Sequence, residues 1–263
     1  MGGDIQPLLS RDVNLLVINP NSSRAMTIGL DKMIKDLGYG RTTTISTYSA
    51  PSGPHSINNE DDALESAHIV YKDLELIKRY DACLVACYSV HPLVGMLQSG
   101  LGARTPVIGI FEASVSTALA LLPRPKVSNT GTGSTTTSSK FGIVTTGKYW
   151  EAVLTEGVLD YLGCADLAGC RRFKRVESTG LNASELHTAP AEEVRRRMMD
   201  ATKRLVSDGD VRAICLGCAG MAGMDAMVRS ACIEELGKEQ GESVHIIDGV
   251  KAGIAILDGL VRA

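Results

Sequence analysis

Cys87 and Cys218 stand at an offset of 131 in a chain of 263 residues, about half its length. Each closes a short apolar run, "DACLVAC" in one case and "VRAICLGC" in the other, before small or polar residues intervene and an apolar period resumes. A cysteine where a strand gives way to a helix can act through its thiolate, because backbone N–H groups and the helix dipole favour the charged form. A thiol with an ordinary pKa of about 8.5 would then serve as a base near neutrality. Other chemistries compete for the same residues. "CLGC" (Cys215 to Cys218) has the spacing of a zinc or dithiol pair, yet a second such pair is missing: three residues separate Cys83 from Cys87 and five separate Cys164 from Cys170. A cysteine phosphatase needs Arg six positions after its nucleophile, where Leu93 stands. His91, four residues after Cys87, suits an acyl-transfer hydrolase, which would leave Cys218 idle. Two ordinary core cysteines are the plain alternative, and Cys83, Cys164, Cys170 and Cys232 are assigned to packing.

The elements that would position these thiols alternate along the chain. "NLLVINP" is a continuous apolar run, as expected of a strand covered on both faces, and "NSS" after it supplies a turn and a helix cap. "RAMTIGLDKMIKDLG" has helical spacing and stops at Gly38. "TTTISTYSA" reads as a strand, Asn59 to Arg79 as a helix, "ACLVAC" as a buried strand, and "TPVIGIFEAS" as a strand and turn leading into the helical "VSTALALL". The scheme then restarts: "KFGIVTTGKYWEAVLTEGVLDYLG" repeats the strand, polar turn and helix of the N-terminal segment. A long amphipathic helix, the strand "VRAICLGC" and a last strand "VHIIDGV" follow. Strand–helix alternation throughout predicts α/β architecture with parallel sheets. Val17 aligns with Val144 much as Cys87 aligns with Cys218, so an internal duplication fits. "VSNTGTGSTTTSS" (127–139) is a Ser/Thr/Gly insertion expected to form a mobile loop.

Composition excludes several function classes. Net charge is −3 and charged residues make up 22%, with no basic stripe, which argues against a nucleic-acid partner. Aromatic residues are only 4%, which disfavours stacking platforms. No run reaches the roughly 18 apolar residues of a membrane span, and "MGGDIQPLLSRDVN" lacks a secretory pattern. A soluble cytoplasmic protein with thiols rather than disulfides is expected, since seven cysteines also form an odd set. No lysine setting suggests pyridoxal phosphate and no G-x-G-x-x-G follows a strand, so no cofactor is expected.

"LLVINPNSS", "ACYSVHPL", "PVIGIFEAS", "FGIVTTGKYW", "LGCAGMAG" and "IIDGV" occur in that order from Asn14 to about Gly259. Together they resemble the hydantoin and allantoin racemase family of the aspartate/glutamate racemase superfamily, its fungal members in particular. The resemblance implies two similar parallel-sheet α/β domains related by a pseudo-two-fold, with the site in the cleft between them. It places residues 1–110 with 226–263 in the first domain, the last strand and helix returning there, and 111–225 in the second. It further implies a homo-oligomer and a cofactor-free two-base mechanism on a small-molecule hydantoin or ureide, with Cys87 and Cys218 as the bases. Tyr88-Ser89 and Ala219-Gly220 follow the two cysteines where amino acid racemases carry Asn-Thr and Thr, which disfavours a free amino acid as substrate. A cis–trans isomerase, an amino acid racemase or a decarboxylase of the same superfamily, or a non-catalytic metabolite-binding relative, are the alternatives.

Inverting a carbon requires proton removal from one face and return to the other, which two opposed thiols can do without crossing the substrate plane. Charge from the ring carbon flows onto the adjacent carbonyl, so hydrogen-bond donors should face that oxygen. Candidates are the backbone around Gly217 to Gly220 and Tyr88 to Ser89, and by resemblance Asn19, Thr145 and Thr146. For these three the competing role is capping of the next turn. Gly217 and Gly220 would either admit the substrate or permit positive φ. "PSGPHSI" (51–57) is a candidate cover over the substrate.

Overall fold

The computed structural model describes residues 11–40, 42–124 and 139–263. The insertion at 127–138 lies outside them. In the first half the elements run β1 (Val13–Asn19), α1 (Arg24–Asp36), β2 (Thr43–Ser49), α2 (Glu60–Tyr71), α3 (Leu74–Ile77), β3 (Ala82–Val85), α4 (Pro92–Leu101), β4 (Val107–Gly109) and α5 (Ile110–Leu121). In the second they run β5 (Lys140–Thr145), α6 (Tyr149–Leu162), β6 (Phe173–Ser178), α7 (Glu185–Thr188), α8 (Ala191–Val206), β7 (Val211–Gly217), α9 (Asp225–Leu236), α10 (Lys238–Ser243), β8 (His245–Asp248) and α11 (Gly249–Arg262).

Every strand pairing is parallel, and the two sheets repeat one order, β2-β1-β3-β4 and β6-β5-β7-β8. The α/β duplication expected from the sequence is therefore present strand for strand. β1 and β5 are central, and apart from Asn14 and Lys140 their residues are buried, as an unbroken apolar run requires when helices cover both faces. The segment 59–79 is not one helix. Asp73 leaves helical geometry and its carboxylate accepts the Tyr48 hydroxyl at 2.6 Å, dividing α2 from α3.

The last strand does not return to the first lobe. β8 hydrogen-bonds β7 as an edge of the second sheet, and α9 packs on α8. β7, α9, α10 and β8 thus form a strand–helix–strand crossover of the kind parallel neighbours need. Only α11 crosses back, packing on β1, β3 and β4, while α5 crosses the other way onto β7 and β8. Both exchanges occur without a loop: β4 passes straight into α5 at Ile110, and β8 into α11 at Gly249. The two helix starts abut so closely that a Cβ at Gly249 would lie 2.7 Å from the Ile110 carbonyl, and one at Gly253 would lie 2.4 Å from Leu84. The exchange joins the lobes through a shared apolar layer, beside a further cluster in each lobe. A single apolar cluster runs from Leu15 and Leu84 through Ile110 and Ile254 to Ile143, Ala213 and Ile247. Close packing of this kind resists deformation, so the joint between the lobes has a fixed shape.

Candidate active site

A cavity of about 760 Å³ opens between the lobes at the C-terminal ends of β1, β3 and β7. Ligand sites in parallel sheets gather at that edge, where strand ends and helix starts leave backbone groups free. The first lobe lines it with Asn19, Asn21, Ser23, Met26, Cys87 and Tyr88, the second with Ala183, Ser184, His187, Cys218, Ala219 and Gly220. His55, Ser56 and Ile57 border it too, as does Lys251 at the start of α11.

Cys87 and Cys218 thus share one cavity, each half-buried, each a free thiol. Their settings differ. Cys218 caps the 3₁₀ turn Ala219–Met221, and its Sγ accepts the Gly220 N–H at 3.3 Å. Cys87 precedes α4 by a loop, so its sulphur meets no helix start; its neighbour is the Ser89 hydroxyl at 3.6 Å. Although both open onto the cleft, protein surrounds them closely, and desolvation disfavours the thiolate. Burial pushes Cys87 from 9.0 up to about 12; Ser89 opposes the shift, and charge on Cys218 or Glu112 adds to it. Burial likewise pushes Cys218 up to about 11, the Gly220 and Met221 N–H groups opposing. Loss of water thus outweighs the backbone dipoles at both sulphurs, so the shift runs opposite to the one expected from helix starts alone.

Of the eight candidate substrate-contacting residues, Asn19, Tyr88, Ala219 and Gly220 line the cavity. Asn19 also organises its loop, its amide donating to Asn21 Oδ1, the Ser23 carbonyl and Thr27 Oγ1. Tyr88 is buried, its ring edge-on to Phe111 and its hydroxyl bonded to Ser114 Oγ at 2.6 Å. Ser114 donates to the Phe111 carbonyl, so the phenol is the donor in that pair. Ser89, Thr145, Thr146 and Gly217 do not line the cavity. Ser89 acts next to Cys87. Thr145 is fully buried and donates to the Gly217 carbonyl at 3.0 Å, and the Thr146 carbonyl accepts the Gly180 N–H. Neither glycine of the pair has positive φ. Gly217 is a packing residue, since a Cβ there would lie 2.8 Å from the Val144 carbonyl. A Cβ on Gly220 would instead project between Cys218 and His187.

Cys215, three residues before Cys218, points into the core and donates to the Ser114 carbonyl, so the two sulphurs of "CLGC" diverge. Among the described residues no group of three or more His, Cys, Asp or Glu is arranged to hold a metal ion. The loop 51–57 does border the cavity, through His55, Ser56 and Ile57. His187, Ser184 and Lys251 were not foreseen; "NASELHTAP" has no period that marks a site.

His91 turns out to be structural. It is 2% exposed and caps α4: Nδ1 accepts the Leu93 N–H at 3.2 Å, which leaves Nε2–H to donate to Ser66 Oγ at 3.1 Å. Burial lowers it from 6.5 to about 4. The unfolded chain therefore binds this proton first as pH falls, and stability present above pH 6.5 is lost toward pH 4. The loss amounts to something on the order of 3 kcal/mol. His91→Asn, which keeps a capping side chain, should show a shallower acid decline in urea unfolding at pH 7 and pH 4.5 than the parent protein. Equal declines would remove His91 as the cause.

With this geometry the fold defines its class. The family model described as Asp/Glu/Hydantoin racemase matches residues 15–257, and the chain belongs to that family, whose members fall in the isomerase class. Within it the chain sits with the hydantoin and allantoin racemases. It is 27% identical to a hydantoin racemase of Pseudomonas sp. (strain NS671), over 95% of this chain and 86% of that protein. An uncharacterized protein of Schizosaccharomyces pombe is 34% identical over 95% of this chain and 92% of its own length. Among solved structures, allantoin racemase from Klebsiella pneumoniae superposes with a TM-score of 0.69 at 26% identity, covering 95% of this chain and 88% of that one. Allantoin racemase from Pseudomonas fluorescens gives 0.74 at 24% identity, covering 95% and 91%, and shares the fold. Among the described residues no helix is long and apolar enough to cross a membrane.

Proposed function

We propose that the protein is a cofactor-independent racemase of a 5-substituted hydantoin or of allantoin, with Cys87 and Cys218 exchanging acid and base roles. The observation that carries this reading is that the two thiols, one from each duplicated lobe, line a single cavity. One sulphur, as thiolate, removes the proton at the ring carbon. The electron pair moves onto the adjacent carbonyl oxygen, the carbon becomes planar, and the other thiol delivers its proton to the opposite face. Roles are reversed for the other enantiomer. The cavity wall mixes apolar and small residues with polar ones, among them Asn21, Ser184, His55 and His187, and carries the charged Lys32, Asp36 and Lys251 toward its border, a setting in which a polar ring can be held. The residues after the two cysteines, Tyr88-Ser89 and Ala219-Gly220, lack the Asn-Thr and Thr with which amino acid racemases hold the carboxylate. The 27% identity to a bacterial hydantoin racemase supports the same substrate class.

The test is a panel of enantiopure 5-substituted hydantoins, allantoin and free amino acids, followed by chiral chromatography. Racemisation of a hydantoin or allantoin with free amino acids untouched is the expected result. Racemisation of a free amino acid alone would refute the substrate assignment.

A further inference from the structure

We infer that His187 is a catalytic residue that hydrogen-bonds the substrate oxygen on which negative charge collects, an inference that rests on the racemase reading above. A ring carbanion needs a donor at its carbonyl, and several of the groups expected to supply one are engaged elsewhere. Thr145 donates to the Gly217 carbonyl, Tyr88 to Ser114, and the Gly220 N–H to Cys218 itself. Asn19 is held by its own loop, and Lys251 pairs with Asp225 at 3.6 Å. His187 borders the cavity, is exposed, and its ring makes no hydrogen bond to any described residue.

Its position relative to the reacting sulphur is set by Gly220. The point at which a Gly220 Cβ would begin lies 3.1 Å from His187 Nε2 and 3.5 Å from Cys218 Sγ. The two atoms therefore lie within about 7 Å of each other, beside a residue that has no side chain. A substrate ring seated on that residue meets the thiol with its carbon and the imidazole with its oxygen. The backbone that carries the imidazole is anchored. α7 is a single turn anchored by buried Leu186, with the His187 N–H donating to the Ser184 carbonyl and the Glu185 carboxylate accepting the Asn182 N–H.

The step balances without further reagents. As the C–H bond breaks, its proton passes to the thiolate and its electron pair becomes the enolate on the ring oxygen. Nε2–H donates to that oxygen without surrendering its proton. When the opposite thiol protonates the carbon, the pair returns to the C–H bond and the carbonyl is restored.

The experiment compares the parent protein, Cys218→Ser, His187→Ala and His187→Gln on the best enantiopure hydantoin, with kcat, KM and melting temperature measured for each. Loss of one preorganised donor costs roughly 10²–10³-fold in kcat. His187→Ala is expected to show that loss with little change in KM or melting temperature. His187→Gln should keep a substantial part of the rate, because its amide can still donate. Added imidazole should restore part of the activity of His187→Ala, which a structural defect would not allow. The inference is overturned if His187→Ala keeps the parent kcat, or if both variants lose activity in step with melting temperature. Should the parent protein racemise nothing while remaining folded, the racemase reading itself falls and this inference with it, an outcome distinct from an unaffected His187→Ala.

Discussion

Replacing either Cys87 or Cys218 with serine is expected to abolish inversion, with a loss of roughly 10³–10⁴-fold, while each variant still exchanges the proton of one enantiomer. The reason lies in the division of labour across the cavity. In Cys87→Ser the wall carrying Cys218 is intact, and the hydrogen facing that wall can leave and be replaced from solvent on the same side. No competent acid stands opposite, since an alcohol gives up its proton far less readily than a thiol. The enantiomer whose hydrogen points at Cys218 therefore takes up deuterium with its configuration retained, and its mirror image is inert. Cys218→Ser should show the complementary pattern. Serine is nearly isosteric and both positions are half-buried at the cavity edge, so folding should be unaffected. Proton NMR in D₂O on each enantiomer, together with polarimetry, reads both quantities. Inversion persisting in either variant would remove that cysteine from the mechanism.

The second large effect concerns pH. Burial holds Cys87 at about 12 and Cys218 at about 11, so the free enzyme is a dithiol through the neutral range. The reacting form needs one thiolate and one thiol, and below the first ionisation the thiolate fraction grows tenfold per pH unit. kcat/KM reports free-enzyme groups and should therefore rise about 100-fold between pH 7 and pH 9. Cys218 ionises first, because the Gly220 and Met221 N–H groups favour its thiolate and Cys87 has only the Ser89 hydroxyl. Charge on one sulphur opposes charge on the other, which keeps the singly ionised form over a broad span. A plateau in kcat/KM below pH 8 would mean that the dipoles win over desolvation after all.

How much of this was legible in the sequence follows from what each signal measures. Unbroken apolar runs at "NLLVINP" and "ACLVAC" reported burial on both faces, and the restart at "KFGIVTTG" reported the duplicated β2-β1-β3-β4 order. β6 escaped notice because it is an edge strand: "FKRVES" buries Phe173, Val176 and Ser178, while Lys174 pairs with Asp208 and Asp210 and Arg175 with Glu177. The helix exchange was invisible because it depends on Gly249 meeting Ile110, a contact between residues far apart in the chain. Spacing placed Cys87 and Cys218 at strand ends, and the fold brings them to one cavity. It gave no hint of how little water would surround them, hence the inverted pKa argument. Thr145 ends β5, with Thr146 next, as Asn19 ends β1, and all three residues are buried, yet only Asn19 lines the cavity; symmetry of position did not carry symmetry of access. His187 sits in one helical turn whose only recurrent feature is polarity, so only its place above Gly220 reveals it.

Everything depends on protons entering and leaving from opposite walls, and one measurement addresses that directly. An enantiopure hydantoin is incubated with the protein in D₂O, and the two enantiomers are separated early in the reaction and weighed for deuterium. Two opposed thiols predict deuterium in the inverted product and protium in the recovered starting enantiomer. Equal labelling of both enantiomers from the outset, or inversion without deuterium, would contradict the account.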